Sequence, residues 1–285
     1  DVPWFWSDQG DVKLQMVGLS GTADSNAVRG DPESGTFSVF HYAGSRLIAV
    51  DSVNRAADHV VARRMIGAGL SPAPELVADE GVDIFDREER FIDNVLAPLA
   101  ERHPRLRIVL EHASTRAAVQ FVQSGRTGLA ATITPQHLMF NRNALFDSGL
   151  RPHHYCRPVL KREADRRSLI EAVAQGDTRF FLGTDSAPHA REAKENSCGC
   201  AGVFSAHAAI ELYAQVFERE GMLERLPAFA SEFGADFYRL PRNQEHITLI
   251  RQPWTPPAAY PFAGSELVPL CAGESIDWRL AAQNA

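Results

Sequence analysis

The residues best suited to chemistry lie in two short segments, VLEHAST (109–115) and GTDSAPH (183–189). Each closes a run of apolar residues, RIVL before the first and RFFL before the second. An aspartate at the end of a buried strand, such as Asp185, can bind a metal ion and take a proton from the metal-bound water, whose pKa the metal lowers. Capping the following loop is the plainer role for the same residue. His112, ending the other apolar run, is either a ligand or a hydrogen-bonded structural histidine. His189, four residues beyond Asp185, can read a carboxylate or carbonyl on a substrate. His137, His153 and His154 fall in a long loop rich in Pro, Asn and His and are expected as solvent-exposed polar residues. Cys198 and Cys200 form a C-G-C; structural zinc usually takes four ligands, so these cysteines are expected to be reduced loop residues. Gly199 and Gly202 around them suggest a tight loop whose amides can touch a ligand. No G-x-S-x-G, G-x-G-x-x-G or P-loop pattern occurs, which leaves out a serine-hydrolase elbow and a dinucleotide or nucleoside-triphosphate cradle.

The elements that position these residues change character near residue 80. Before it the chain reads as strand-rich, with VKLQMVGLS (12–20) alternating and FSVFHY (37–42) and RLIAVDSV (46–53) forming a hairpin. A helix follows from an Asn54 cap, with Ala57, Val60, Val61 and Met65 as its apolar face and Gly67 or Gly69 as its stop. Residues 71–81, with two prolines, three acids and a glycine, read as a linker. Beyond it helices and strands alternate. DIFDREERFIDNVLAPLAERH (83–103) reads as one amphipathic helix with Phe91, Val95, Leu96 and Leu99 on one side. RIVLEHA (107–113), GLAATITP (128–135) and RFFLGTD (179–185) read as strands buried on both faces. Between and after them come helices at 115–125 (capped by Thr115), 163–176, 204–221 and 226–240, then a late strand at 245–252. Alternating β and α predicts a parallel sheet, whose carboxyl edge is where such folds place active sites.

Composition bounds the partners. The chain has 285 residues, 45% hydrophobic and 23% charged, enough for a sizeable core. Its net charge of −7 argues against tracking nucleic-acid phosphates. No apolar run is long enough to span a membrane, and no secretory leader opens the chain, so a cytoplasmic protein is expected.

From about residue 83 onward the chain resembles the single-chain bacterial dihydroorotases of the amidohydrolase superfamily. The resemblance is carried by DIFDREERFI (83–92), VLEHAST, TITPQHLMFNRN (132–143), RPHHYCRPVLKRE (151–163), GTDSAPHAR (183–191) and SCGCAG (197–202). It implies a TIM-like (β/α) barrel, two zinc ions bridged by hydroxide, and reversible hydrolysis of dihydroorotate to carbamoyl-aspartate. Carried over by motif, His112 would be a zinc ligand, and Asp185 a zinc ligand and general base. His189 and the backbones of Arg157 and Ala201 would contact the substrate. The family's H-x-H is missing, and Lys13, Lys161 and Lys194, the only lysines, leave no candidate for its carboxylated lysine. The zinc site is therefore expected to be incomplete. VPWFWSDQ (2–9), VGLSGTADSNAVRGDP (17–32) and FSVFHYAGSRLIAVDSVNRAADHVVARRMI (37–66) resemble the C-terminal domain of FAD-dependent ferredoxin reductases. That likeness implies an electron-transfer accessory module whose aromatics lie near a flavin. The expected architecture is thus α/β: a small α+β domain over 1–80, then a partial barrel over 81–285 holding only its last strands. Such a chain reads as a fusion or chimera of two partial families. A small-molecule substrate and a homodimer are the expected partners.

Overall fold

The computed structural model describes residues 2–71, 82–125, 127–197 and 199–281. They fall into two compact units, Asp1–Asp83 and Ile84–Ala285. The segment read as a linker lies, from residue 72 to 81, outside the described residues, as does Cys198 of the C-G-C. No helix among the described residues is long and apolar enough to cross a membrane.

The first unit is one antiparallel sheet in the order β1-β2-β5-β4-β3, formed by Trp4–Gln9, Val12–Gly18, Ser25–Asp31, Thr36–Ala43 and Arg46–Val53 in chain order. In β4 alternate residues Ser38, Phe40 and Tyr42 are buried, as period-two patterning requires of a half-covered strand. Helix α1, Ala56–Gly67, covers that face. Its buried residues are Asp58, His59 and Ala62, whereas Ala57, Val60 and Val61 are exposed, so the expected apolar face is corrected. A polar contact sets the helix rotation. Ser38 Oγ lies 3.0 Å from Ser52 Oγ and donates to Asp58 Oδ2 at 2.9 Å, while Arg55 Nε donates to the same oxygen at 2.6 Å. Nor does Asn54 cap α1: at φ +53° it ends the strand, and its side chain accepts from Lys13 N.

The second unit is mixed α/β, built on a three-stranded parallel sheet of β6 (Ile108–Leu110), β7 (Leu129–Ile133) and β8 (Phe180–Leu182), in that order. Among the described residues no strand covers the outer edges of β6 and β8. Helices Arg116–Ser124, Glu163–Ala174 and Ala209–Arg219 contribute to a core with Ile133, Leu138, Phe180, Phe217 and Phe229. Tyr213 is buried there and donates from its hydroxyl to Ile133 O at 2.6 Å. The single helix expected over 83–103 is instead Arg87–Phe91, a π-turn Ile92–Leu96 and Ala97–Arg102. Pro98 lacks the N–H that would close an ordinary α-turn there, and the ladder widens by one residue. Ile92, Leu96 and Ala100 are buried, and Phe91 is exposed. The tail adds Leu249–Trp254 paired with Ile276–Leu280, and a small hairpin of Tyr260–Phe262 with Ser265–Leu267.

Candidate functional site

The carboxyl ends of the three parallel strands carry the polar residues. His112 lies two residues past β6, the Thr134–His137 turn follows β7, and Asp185 lies three residues past β8. His112 and Asp185 have φ of +47° and +41°, a left-handed backbone that costs an L-residue about 1–2 kcal/mol. Threonine 132 anchors the first: His112 N donates to Thr132 Oγ1 at 2.7 Å, and Ala113 N to Thr132 O at 2.9 Å. The carboxyl of Asp185 is held above the ordinary aspartate range by desolvation, against the attraction of His112 and with Glu111 adding repulsion. These strand-end charges are near enough to act on one another.

His137 was expected to be exposed and is instead 3% exposed. Thr134 caps the short helix Pro135–Met139, its Oγ1 accepting from His137 N. A carbonyl can only accept, so His137 Nε2 must donate to Pro158 O, 3.0 Å away. Its Nδ1 is then the acceptor for the Thr134 hydroxyl at 2.7 Å. Burial pushes this imidazole down to about 3, and the nearby His112 and Lys161 charges push the same way. His137 is therefore a neutral residue with both nitrogens engaged. His154, also expected to be exposed, is 5% exposed and stacked edge-on against Phe140; burial lowers it to about 4. His153 pairs with Glu195 at 2.7 Å.

His189, Ala201 and the turn that carries Arg157 are joined by hydrogen bonds. His189 Nε2 lies 3.1 Å from Ala201 O, and as the only possible donor of that pair it keeps Nδ1 free of this bond. Gly202 N donates to Tyr155 O at 2.9 Å, which ties the 199–203 loop to the 151–158 turn. On that turn the exposed Arg157 donates from Nε to Tyr155 Oη at 3.2 Å. Gly202 has φ +152°, and a Cβ there would stand 2.5 Å from Ala187 O and 2.8 Å from His189 Cδ2, so only glycine fits. The described cysteines 156, 200 and 271 are free thiols.

Glu88 links the segment before the sheet to the β6 end. Its carboxylate accepts from Ser114 N at 2.9 Å, Thr115 N at 3.2 Å, Thr115 Oγ1 at 3.0 Å and Ser114 Oγ. Neither Glu88 nor the buried Lys194 stands out as a site residue in the sequence. A signal for His137 was present: Thr134-Pro-Gln-His137 follows a buried strand just as His112 and Asp185 do.

Residues 4–86 match the family model described as reductase C-terminal. Over 205 residues the chain is 60% identical to the dihydroorotase of Laribacter hongkongensis, an alignment spanning 72% of this chain and 59% of that one. Against the dihydroorotase of Picosynechococcus the identity is 58% over 205 residues, with the same coverage. The structure of Saccharomyces cerevisiae dihydroorotase in complex with 5-fluoroorotic acid aligns at TM-score 0.64 and 30% identity, over 70% of this chain and 58% of that one. A Thermus D-hydantoinase aligns at TM-score 0.55 with 17% identity over 76% of this chain and 51% of that one, a likeness of fold. The chain spans about three-fifths of the length of the curated relatives it matches. Two partial likenesses therefore share one polypeptide: a reductase C-terminal segment through residue 86 and, across 72% of the chain, about three-fifths of a dihydroorotase, with a mixed α/β fold.

Proposed function

We propose that residues 84–285 are the closing βα units of a (β/α) barrel of the dihydroorotase type. Their chemistry then belongs to the reversible opening of the cyclic amide of dihydroorotate to carbamoyl-aspartate. The observation that carries this reading is the row of His112, His137 and Asp185 past three adjacent parallel strands, in a stretch 60% identical to a dihydroorotase. Within it Asp185 is the general base, and His189, Arg157 and the Ala201 backbone receive the substrate. A half-buried Nε2–H pointing at Ala201 O orients the His189 ring, leaving Nδ1 to meet a polar atom of the ligand.

The reading calls for zinc, and the donors here do not meet that call. His112 and Asp185 supply two, and among the described residues no three His, Cys, Asp or Glu side chains converge to hold a metal. His137 cannot make up the third while Thr134 and Pro158 occupy its nitrogens. Zinc is normally held by three or four protein ligands. What this unit retains is ligand recognition at the strand ends. The test is fluorine NMR of 5-fluoroorotic acid, the ligand of the yeast relative, with the full chain. Broadening that disappears in His189→Ala supports the reading; a resonance unchanged by the wild-type chain contradicts it.

A second reading applies to residues 4–86 alone, an accessory module for electron transfer. It is favoured by the reductase match and by Trp4, Phe5 and Trp6, all exposed on an edge strand. Saturable quenching of tryptophan fluorescence by added FAD supports it, and a flat titration removes it.

A further inference from the structure

Lys194 ends the short helix Arg191–Lys194 and is 4% exposed. Its ammonium group has three hydrogens and meets three backbone carbonyls: Tyr155 O at 3.2 Å, Cys200 O at 2.8 Å and Gly202 O at 2.5 Å. An ammonium has no further donor, so all of its hydrogen-bonding capacity is spent on main chain. Burying a charge without a carboxylate partner is costly unless the hydrogen bonds around it are complete, and here they are. A lysine kept in that condition is fixing the two segments it touches, the turn at Tyr155 and the turn from Cys200 to Gly202.

Two of those carbonyls flank Ala201. In a trans peptide the C=O and the following N–H point in opposite directions. With Cys200 O on the ammonium, the Ala201 N–H therefore faces away from Lys194. Ala201 O is taken by His189, and Gly202 N by Tyr155 O. Cys200 N donates to Ala193 O, so of the backbone polar groups from Cys200 to Gly202 the Ala201 N–H is the one these hydrogen bonds leave unused, next to the Ala201 carbonyl that His189 meets.

We propose that Lys194 is the positioning residue of this turn: by holding the Cys200 and Gly202 carbonyls it presents the Ala201 N–H to an anionic oxygen of the ligand. The inference rests on the reading that the His189–Ala201 corner receives a carboxylate- or imide-bearing ring. It gives Lys194 and the Cys200–Gly202 turn one task, the lysine ordering the turn.

The experiment is a titration of the isotopically labelled full chain with 5-fluoroorotic acid. The Ala201 amide signal is expected to move, and the Lys194 ammonium signal, slowed in exchange by burial, to move with it. In Lys194→Met the Ala201 response should vanish and binding should weaken about tenfold, the effect of losing charge-assisted hydrogen bonds. Lys13→Met, in the other unit, should change neither. Fluorine broadening with a motionless Ala201 amide overturns the proposal and leaves the site reading standing; no broadening at all removes the reading beneath it. Should Lys194→Met fail to fold, the wild-type signals decide: a Lys194 ammonium that stays still while Ala201 moves overturns the proposal.

Discussion

His112 and Asp185 occupy a backbone region that L-residues avoid, and each is reached through a tight contact between neighbouring strands. Gly183 makes one of them. A Cβ at this position would lie 2.4 Å from Thr132 Cβ and 2.9 Å from Thr132 Oγ1, the oxygen that accepts from His112 N. Gly183→Ala should therefore destabilise the second unit by about 1–3 kcal/mol, as overpacking does, and shift the His112 ring resonances. Urea unfolding with a proton–carbon spectrum checks both, and an unchanged His112 signal would contradict the coupling. His137 gives a pH prediction. It falls from 6.5 to about 3 on folding, so below pH 6.5 the unfolded chain binds a proton that the folded chain refuses. Stability should fall as pH drops from 6.5 towards 3, by up to about 1.4 kcal/mol per pH unit for this one proton. His154 and His207, both lowered to about 4, act in the same direction. His137→Gln should flatten the acid limb by close to one proton; denaturation curves through that window that stay parallel to wild type would contradict it.

At the scale of elements, Glu88 joins Arg87–Phe91 to the corner between β6 and helix Arg116–Ser124 through four accepted hydrogen bonds. Glu88→Ala should cost about 2–4 kcal/mol, since it strips hydrogen bonds from a charged acceptor and leaves the Ser114 and Thr115 amides bare. Equilibrium unfolding measures this, and a loss under about 0.5 kcal/mol would contradict it. The parallel sheet was legible because continuous apolar runs such as GLAATI and RFFL leave few alternatives, and the Thr115 cap was legible because its side chain does accept from Ala118 N. Other elements were not. WFWSDQ does not alternate, and its strand exists through pairing with Val12–Gly18. SNAVRGD holds weak strand formers and is a strand through Thr36–Ala43. His137 and His154 looked like loop residues because burial there comes from distant chain, Pro158 for one and Phe140 for the other.

At the scale of the whole molecule, the two units carry separate cores and separate sheets. Asp185, His112 and the His189–Ala201 pair follow the three-stranded sheet, yet among the described residues no strand covers the outer edges of β6 and β8, and the relatives extend well beyond the matched stretch. On the reading proposed above, ligand recognition outlasts the metal centre: the turn at Ala201 is built from neighbouring segments, whereas among the described residues no three His, Cys, Asp or Glu side chains converge. Zinc retention and dihydroorotate ring opening, measured together on the full chain with Asp185→Ala alongside, test this most directly. Less than one zinc ion per chain is expected to remain after dialysis, with ring opening no faster than in Asp185→Ala. Firmly held zinc together with turnover that vanishes in Asp185→Ala would contradict it, because the missing donors would then be present after all.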